Sequence, residues 1–307
     1  MVKKTIPSVF FNVVGASLFT LLPVVALAQQ ASVPFNTEFE VEADAELQTL
    51  LPETTRSAGV LALGSNPSSP PFGFYGEDGR SIEGREIDVM SAVTRKLGLE
   101  PQWYDVGGFD NLIPGLTTGR YDAVLSNMHV TAERLERIDF VSFFNTNQLG
   151  LVVQAGSLDE PYTDFAQLCG KTVAAGSGTT NAFMLEDASE RCVVEGLEPI
   201  EIPLFPDRAS GVQSVISGRS PAFFGPYEGL AYEAAATNGR LEIGGTFEVP
   251  ANQVGIGLPK DSPLTEPVRQ AVNALIEDGT YAQILTKWNI EHGAITEARA
   301  NRDILDE

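Results

Sequence analysis

The residue with the clearest chemical use is Arg134. It follows Thr131, a helix N-cap type, by three places, so it falls in the first turn of a helix. A guanidinium there offers a planar fork that matches a carboxylate in two hydrogen bonds. Free amide N–H groups at the same helix start add to the anion site. A surface ion pair with Glu133 or Glu136 is the plainer alternative. Thr179 and Thr180 follow the Gly176-Ser177-Gly178 turn and open another helix. Their hydroxyls and amides can cap that helix, meet an anion, or do both.

Enzymatic constellations fail on spacing. Gly170-Lys171-Thr172 ends like a phosphate-binding loop, but residue 165 is Phe where the loop needs Gly. Gly176-Ser177-Gly178 lacks the first Gly of a nucleophile elbow, because residue 175 is Ala. His129 and His292 are the only histidines and have no companions at metal-ligand spacing. That also argues against a triad hydrolase. No metal or cofactor is expected. Cys169 and Cys192 are the only cysteines. In an oxidising compartment they pair as a disulfide; otherwise they are two buried thiols. Without Cys-x-x-Cys spacing they are no redox couple.

The elements that must position these residues begin after an unusual N-terminus. Lys3 and Lys4 precede an apolar run from Ile6 to Leu27, closed by Ala26-Leu27-Ala28 and polar Gln29-Gln30. This is the build of a signal peptide cleaved after Ala28, which places the mature chain in the periplasm. An uncleaved anchor is the alternative, and Pro23 beside the exit favours cleavage. The 307-residue chain is 43% hydrophobic and 20% charged, enough for two domains with sizeable cores. Its net charge is −21, and residues 1–28 hold two lysines and no acid, so cleavage leaves −23. Such a surface repels nucleic acid and anionic lipid.

Residues 29–56 are acidic and poor in large apolar groups; they read as a tether with one short helix over 46–51. Beyond them, short apolar strands alternate with helices in two blocks. Ile87, Met90, Val93 and Leu97 give the helical period over 87–97. Residues 60–63, 121–125, 150–153, 222–224 and 254–258 read as strands. The pattern is α/β with two parallel-rich sheets. The tail after His292 has no apolar stripe and reads as a frayed helix.

Seen together, several segments resemble a known family. They are Pro70-Pro71-Phe72, then Glu77-Asp78-Gly79, then the run from Phe109 through Leu116. Gly119-Arg120-Tyr121-Asp122-Ala123, Thr131-Ala132-Glu133-Arg134, Ile138-Asp139-Phe140, Gly178-Thr179-Thr180 and Asp278-Gly279-Thr280-Tyr281 follow in order. They are similar to family 3 extracellular solute-binding proteins, the polar amino acid receptors of ABC importers, over about residues 57–290. The resemblance implies an α/β periplasmic-binding-protein type II fold of two lobes, with two crossovers and a ligand cleft between them. Lobe 1 would be 57–148 plus 250–292, lobe 2 would be 149–249, and 293–307 would be the tail. The implied function is capture of a small carboxylate-bearing ligand by hinge closure, for an inner-membrane ABC permease, by a monomer.

The same resemblance assigns site roles. Arg134 meets the ligand carboxylate, with Thr179 and Thr180 reaching it from lobe 2. Phe72 and Phe109 sandwich the ligand's side chain; a staple onto the next helix is the other reading of Phe109. Ser126, Asn127, Met128 and His129 line the cleft floor, and Asn66, Ser69, Tyr227 and Glu228 complete the set. This chain departs from the family at three places. Pro226 stands where an Asp usually binds the α-ammonium, with Glu228 as a nearby substitute. Asn66 stands where members that bind basic side chains often carry Asp. His129 is bulky, can titrate near neutral pH, and replaces a small polar residue. A neutral amino acid or related organic acid is therefore expected rather than Lys or Arg. Two other functions stay open: a secreted dehydratase resembling cyclohexadienyl dehydratase, with Glu228 as its acid, and a receptor for a membrane sensor without transport.

Overall fold

The protein is described here by a computed structural model that covers residues 1–2 and 31–306. The apolar run of the expected signal peptide and its cleavage site lie outside the described residues. Strand β1 (Val60–Ser65) pairs in parallel with β2 (Glu100–Asp105) and β3 (Ala123–Leu125). Parallel pairing needs a crossover, and helix α1 (Arg85–Lys96) supplies it between β1 and β2. The expected stripe of α1 is its core face: Ile87, Met90 and Val93 are fully buried. Burial of each such side chain stabilises by about 1.5–3 kcal/mol.

Two long strands, β4 (Ile138–Gln154) and β6 (Leu241–Pro259), then run antiparallel to each other. Strand β5 (Ala222–Pro226) pairs with the C-terminal half of β4. The result is one six-stranded mixed sheet of order β5-β4-β6-β3-β1-β2. The parallel-rich pairing expected in each block is present: lobe 1 has β1 with β2 and β3, and in lobe 2 Ala175–Gly176 runs parallel to Leu204–Phe205 while Ala174 bridges in parallel to Phe223 of β5. What the sequence reading lacked is the antiparallel pair β4 and β6, which runs from one lobe to the other and joins them. The two lobes have separate cores. One core gathers Leu61, Trp103, Phe144, Ile256 and Val268; the other gathers Leu149, Leu185, Phe224 and Phe247. The β4–β6 register breaks between Glu248 and Asn252.

Further helices stand around this sheet after α1: α2 (Leu112–Thr117), α3 (Ala132–Arg137), α4 (Thr180–Val194), α5 (Arg208–Ile216) and α6 (Tyr227–Ala236), with α7 (Thr265–Glu277) and α8 (Thr280–Lys287) near the C-terminus. Cys169 and Cys192 form a disulfide that ties the end of α4 to the 3-10 turn Phe165–Leu168. No helix among the described residues is long and apolar enough to cross a membrane.

Two segments read as loose are docked. In the N-terminal extension Val33 bridges to Trp103, Phe35 bridges to Ile82, and Leu47 and Leu51 enter the lobe 1 core. Asp44 caps the short helix Ala45–Thr49 by accepting from Glu46 N and Leu47 N. Glu86, Asp88 and Ser91 of α1 are also buried, Glu86 against Arg85 and Asn127, Asp88 against Lys287 and Trp288, and Ser91 against Trp103. The tail is no frayed helix either. Ala300 bridges to Val141, Asn301 Oδ1 accepts from Phe140 N at 3.0 Å, and Ile304 is buried. Their few apolar residues suffice because they add to a formed surface rather than build a core of their own.

Candidate functional site

A cavity of about 50 Å³ lies at the junction of the lobes, room for a few water molecules. Lobe 1 contributes the residues after two strand ends. Asn66 and Ser69 follow β1, and Ser126, Asn127 and His129 follow β3. Phe109 and Arg134 complete that side. Lobe 2 contributes Gly176, Thr179, Thr180 and Asn181 at the start of α4, Pro206 to Arg208 at the start of α5, and Phe223 to Pro226 of β5.

Arg134 is buried, and its backbone N–H donates to the N-cap Thr131 Oγ1 at 3.2 Å. Its guanidinium donates Nη1 to His129 O (2.8 Å) and Nη2 to Gly178 O (3.1 Å), and lies over the Phe109 ring. Gly178 has φ +68, a conformation that suits glycine and turns its carbonyl toward the arginine. Burial pushes Arg134 down to about 10, with Glu133 pulling the other way, so it remains a cation at neutral pH. The surface pairing with Glu133 or Glu136 does not form: no described carboxylate makes an ion pair with Arg134. A buried cation satisfied only by carbonyls is ready for an anion.

His129 is buried beside it. Its Nδ1 lies 2.8 Å from Thr180 Oγ1, and its Nε2 is buried without a partner. Burial first, then the charges of Arg134 and Arg85, push its pKa down to about 4. The expectation that it titrates near neutrality is corrected: in the folded protein the ring is neutral there. Thr179 is the N-cap of α4 and accepts from Ala182 N at 3.2 Å.

The floor is held from below. Asn127 has φ +49, a strained value for a residue with a side chain. Its N–H donates to Glu86 Oε1 at 2.5 Å, and its Oδ1 accepts from Arg85 Nη2 at 2.8 Å. Arg85 and Glu86 are themselves paired at 2.9 Å with both side chains out of water. The guanidinium of Arg85 also lies over the rings of Phe72, Phe143 and Phe144.

The structure therefore brings Asn66, Ser69, Phe109, Ser126, Asn127, His129, Arg134, Thr179 and Thr180 to one cavity. Phe72, Met128, Tyr227 and Glu228 are not on its wall. Phe72 is buried between the guanidinium groups of Arg85 at 4.6 Å and Arg208 at 5.2 Å. Met128 packs into an apolar cluster with Leu112 and Val124. Pro226 starts α6 at once, so Glu228 falls in its first turn, where Oε1 meets His292 Nε2 at 3.1 Å. Glu228 does not line the cavity, and its Oε2 is buried without a hydrogen bond. The sequence reading missed Asn181, Asp207 and Arg208. Asp207, the N-cap of α5 accepting from Ser210 N at 2.7 Å, was the available signal.

Comparison with known proteins agrees with this geometry. A model of bacterial extracellular solute-binding proteins, family 3, matches residues 61–291. The chain is 31% identical over 294 residues to the arginine-binding protein ArgT of Corynebacterium glutamicum, covering 95% of this chain and 94% of that one. It resembles the structure of an ancestral arginine-binding protein bound to arginine at TM-score 0.67 and 28% identity, covering 75% of this chain and 98% of the other. An ancestral amino acid-binding protein described as a precursor of cyclohexadienyl dehydratase matches at TM-score 0.63 and 28% identity, covering 78% and 98%.

Proposed function

From its membership of family 3 of the bacterial extracellular solute-binding proteins, to which this chain belongs, we propose that it holds an amino acid or related organic acid by the carboxylate, on Arg134. The observation that carries this is the buried guanidinium, fixed by two carbonyls and free of any acidic side chain. Thr179, Thr180 and the amides opening α4 support the same group from the facing lobe, and Phe109 covers it. Lobe 1 comprises residues 57–148 and 250–292 and lobe 2 residues 149–249, and the lobes close over the ligand by bending at the two crossovers.

The ABC permease of the inner membrane takes the ligand from the closed form, and the protein works in the periplasm as a monomer after cleavage at Ala28. Relatives named for binding rather than for turnover favour a carrier over a dehydratase, as does the absence of Glu228 from the described cavity lining. The test is calorimetric titration and thermal shift of the chain from residue 29 onward against amino acids and small carboxylates. Saturable binding that raises the melting temperature by mass action supports the reading. Arg134→Ala that binds as well as the parent chain overturns it.

A further inference from the structure

Arg208 is the second buried cation on the cavity wall. It is 8% exposed, comparable with Arg134 at 7%. Its one hydrogen bond among the described residues is Nη1 to Pro70 O, long at 3.4 Å. No described carboxylate makes an ion pair with it, whereas the fully buried Arg85 has Glu86. Glu233, Glu228 and Glu86 act on Arg208 from a distance, and none forms an ion pair with it. Glu228 Oε1 is bonded to His292 and Glu86 Oε1 serves Arg85 and Asn127, while the Oε2 atom of each is buried without a hydrogen bond. Glu233 has its carboxyl pushed up by burial, which favours the neutral form. Asp207 is the one carboxylate on the cavity wall, and its Oδ1 caps α5.

The backbone adds positive potential instead of compensating for it. Arg208 is the first residue of α5, and its Nη1 packs so closely on Gly229, in the first turn of α6, that a Cβ there would sit 1.7 Å away. Helix starts carry partial positive charge and disfavour a cation that has no counter-anion. Buried cations in folded proteins are normally paired. Two unpaired guanidiniums around one small cavity leave two places for negative charge.

We propose that Arg208 is a second anion anchor, and that the ligand is a small dicarboxylate with one carboxylate on Arg134 and the other on Arg208. This rests on the reading of Arg134 given above and narrows it. It also sets the chain apart from its relatives named for arginine, whose ligand brings a side-chain cation.

The experiment is calorimetric titration of the chain from residue 29 onward with L-glutamate, glutarate, L-glutamine and L-arginine. L-Glutamate is expected to bind about tenfold or more tightly than L-glutamine, the value of a charge-assisted bond at a desolvated site. Glutarate binding shows that a dicarboxylate without an ammonium also suffices. Arg208→Met should bring L-glutamate and L-glutamine within about threefold of each other, and Arg208→Lys should keep part of the difference. Should the Met variant fail to fold, the parent panel and the Lys variant still decide. Tightest binding by L-arginine or L-glutamine overturns the dicarboxylate assignment and leaves Arg134 standing. Failure of every carboxylate to bind overturns the Arg134 reading and this one with it.

Discussion

Thr180 Oγ1 and His129 Nδ1 stand 2.8 Å apart, one on the first turn of α4 in lobe 2 and the other on the lobe 1 floor. The bond joins the two lobes across the cleft, and burial there favours the neutral ring. His129 has a folded pKa of about 4 against 6.5 in the unfolded chain. Between those values the unfolded state binds more protons. The contribution is therefore intact above pH 6.5 and is lost as pH falls from there to 4. The full loss is of the order of 3 kcal/mol by linkage. We expect the melting temperature of the parent to fall faster over pH 6.5 to 4 than that of His129→Asn. Parallel curves for the two proteins would contradict the assignment.

Arg134 yields a prediction that separates binding from stability. Removing a buried cation without an acidic partner relieves its desolvation, but it orphans His129 O and Gly178 O. These effects oppose each other. Arg134→Met should therefore change apo stability by no more than about 2 kcal/mol in chemical denaturation, while carboxylate binding drops by about 100-fold or more. A large loss of apo stability would mean that Arg134 is chiefly structural.

The pair beneath the floor should behave in the opposite way. Glu86→Ala leaves Arg85 charged, fully buried and short of its partner, which costs about 3–5 kcal/mol. It also removes the acceptor of Asn127 N–H, so the strained turn at Asn127 loosens. Denaturant unfolding is expected to show that loss. Replacing both residues by apolar ones of similar size, Arg85→Met with Glu86→Leu, should recover much of it. Equal destabilisation in single and double variants would show that the pair is not coupled.

How much of this was readable from residues depended on range. Ile87, Met90 and Val93 repeat at helical spacing, so α1 was visible and its boundaries differ by about two residues from those read. Arg134 and Thr179 were visible because N-cap chemistry is local: Thr131 and Thr179 each accept from the amide three residues on. Arg208 was not. Its burial depends on Phe72 and on the missing side chain of Gly229, both remote in sequence. Phe72 was misplaced for the same reason, since two arginines from different segments stack on its ring. The docked ends carry too few apolar residues to form a periodic signal, and Ile304 and Leu47 gain burial only against a surface already built.

The register break between β4 and β6 leads to a prediction about motion. The register shifts between Ile243 and Gly245, between Glu248 and Asn252 and between Val254 and Gly255, and the widest gap in the pairing is the middle one, between Gln148–Glu248 and Thr146–Asn252. Pro250 sits between them and donates no amide hydrogen, so the ladder is interrupted where the chain passes from one core to the other. Local opening concentrates where ladder bonds are missing and apolar contacts are few. Hydrogen exchange should be faster in residues 248–252 than in either flank of β6, and a bound ligand should slow it there although these residues do not line the cavity. That pattern is the mark of bending at the crossovers. Uniform protection along β6, or a ligand effect confined to the cavity wall, would place the hinge elsewhere.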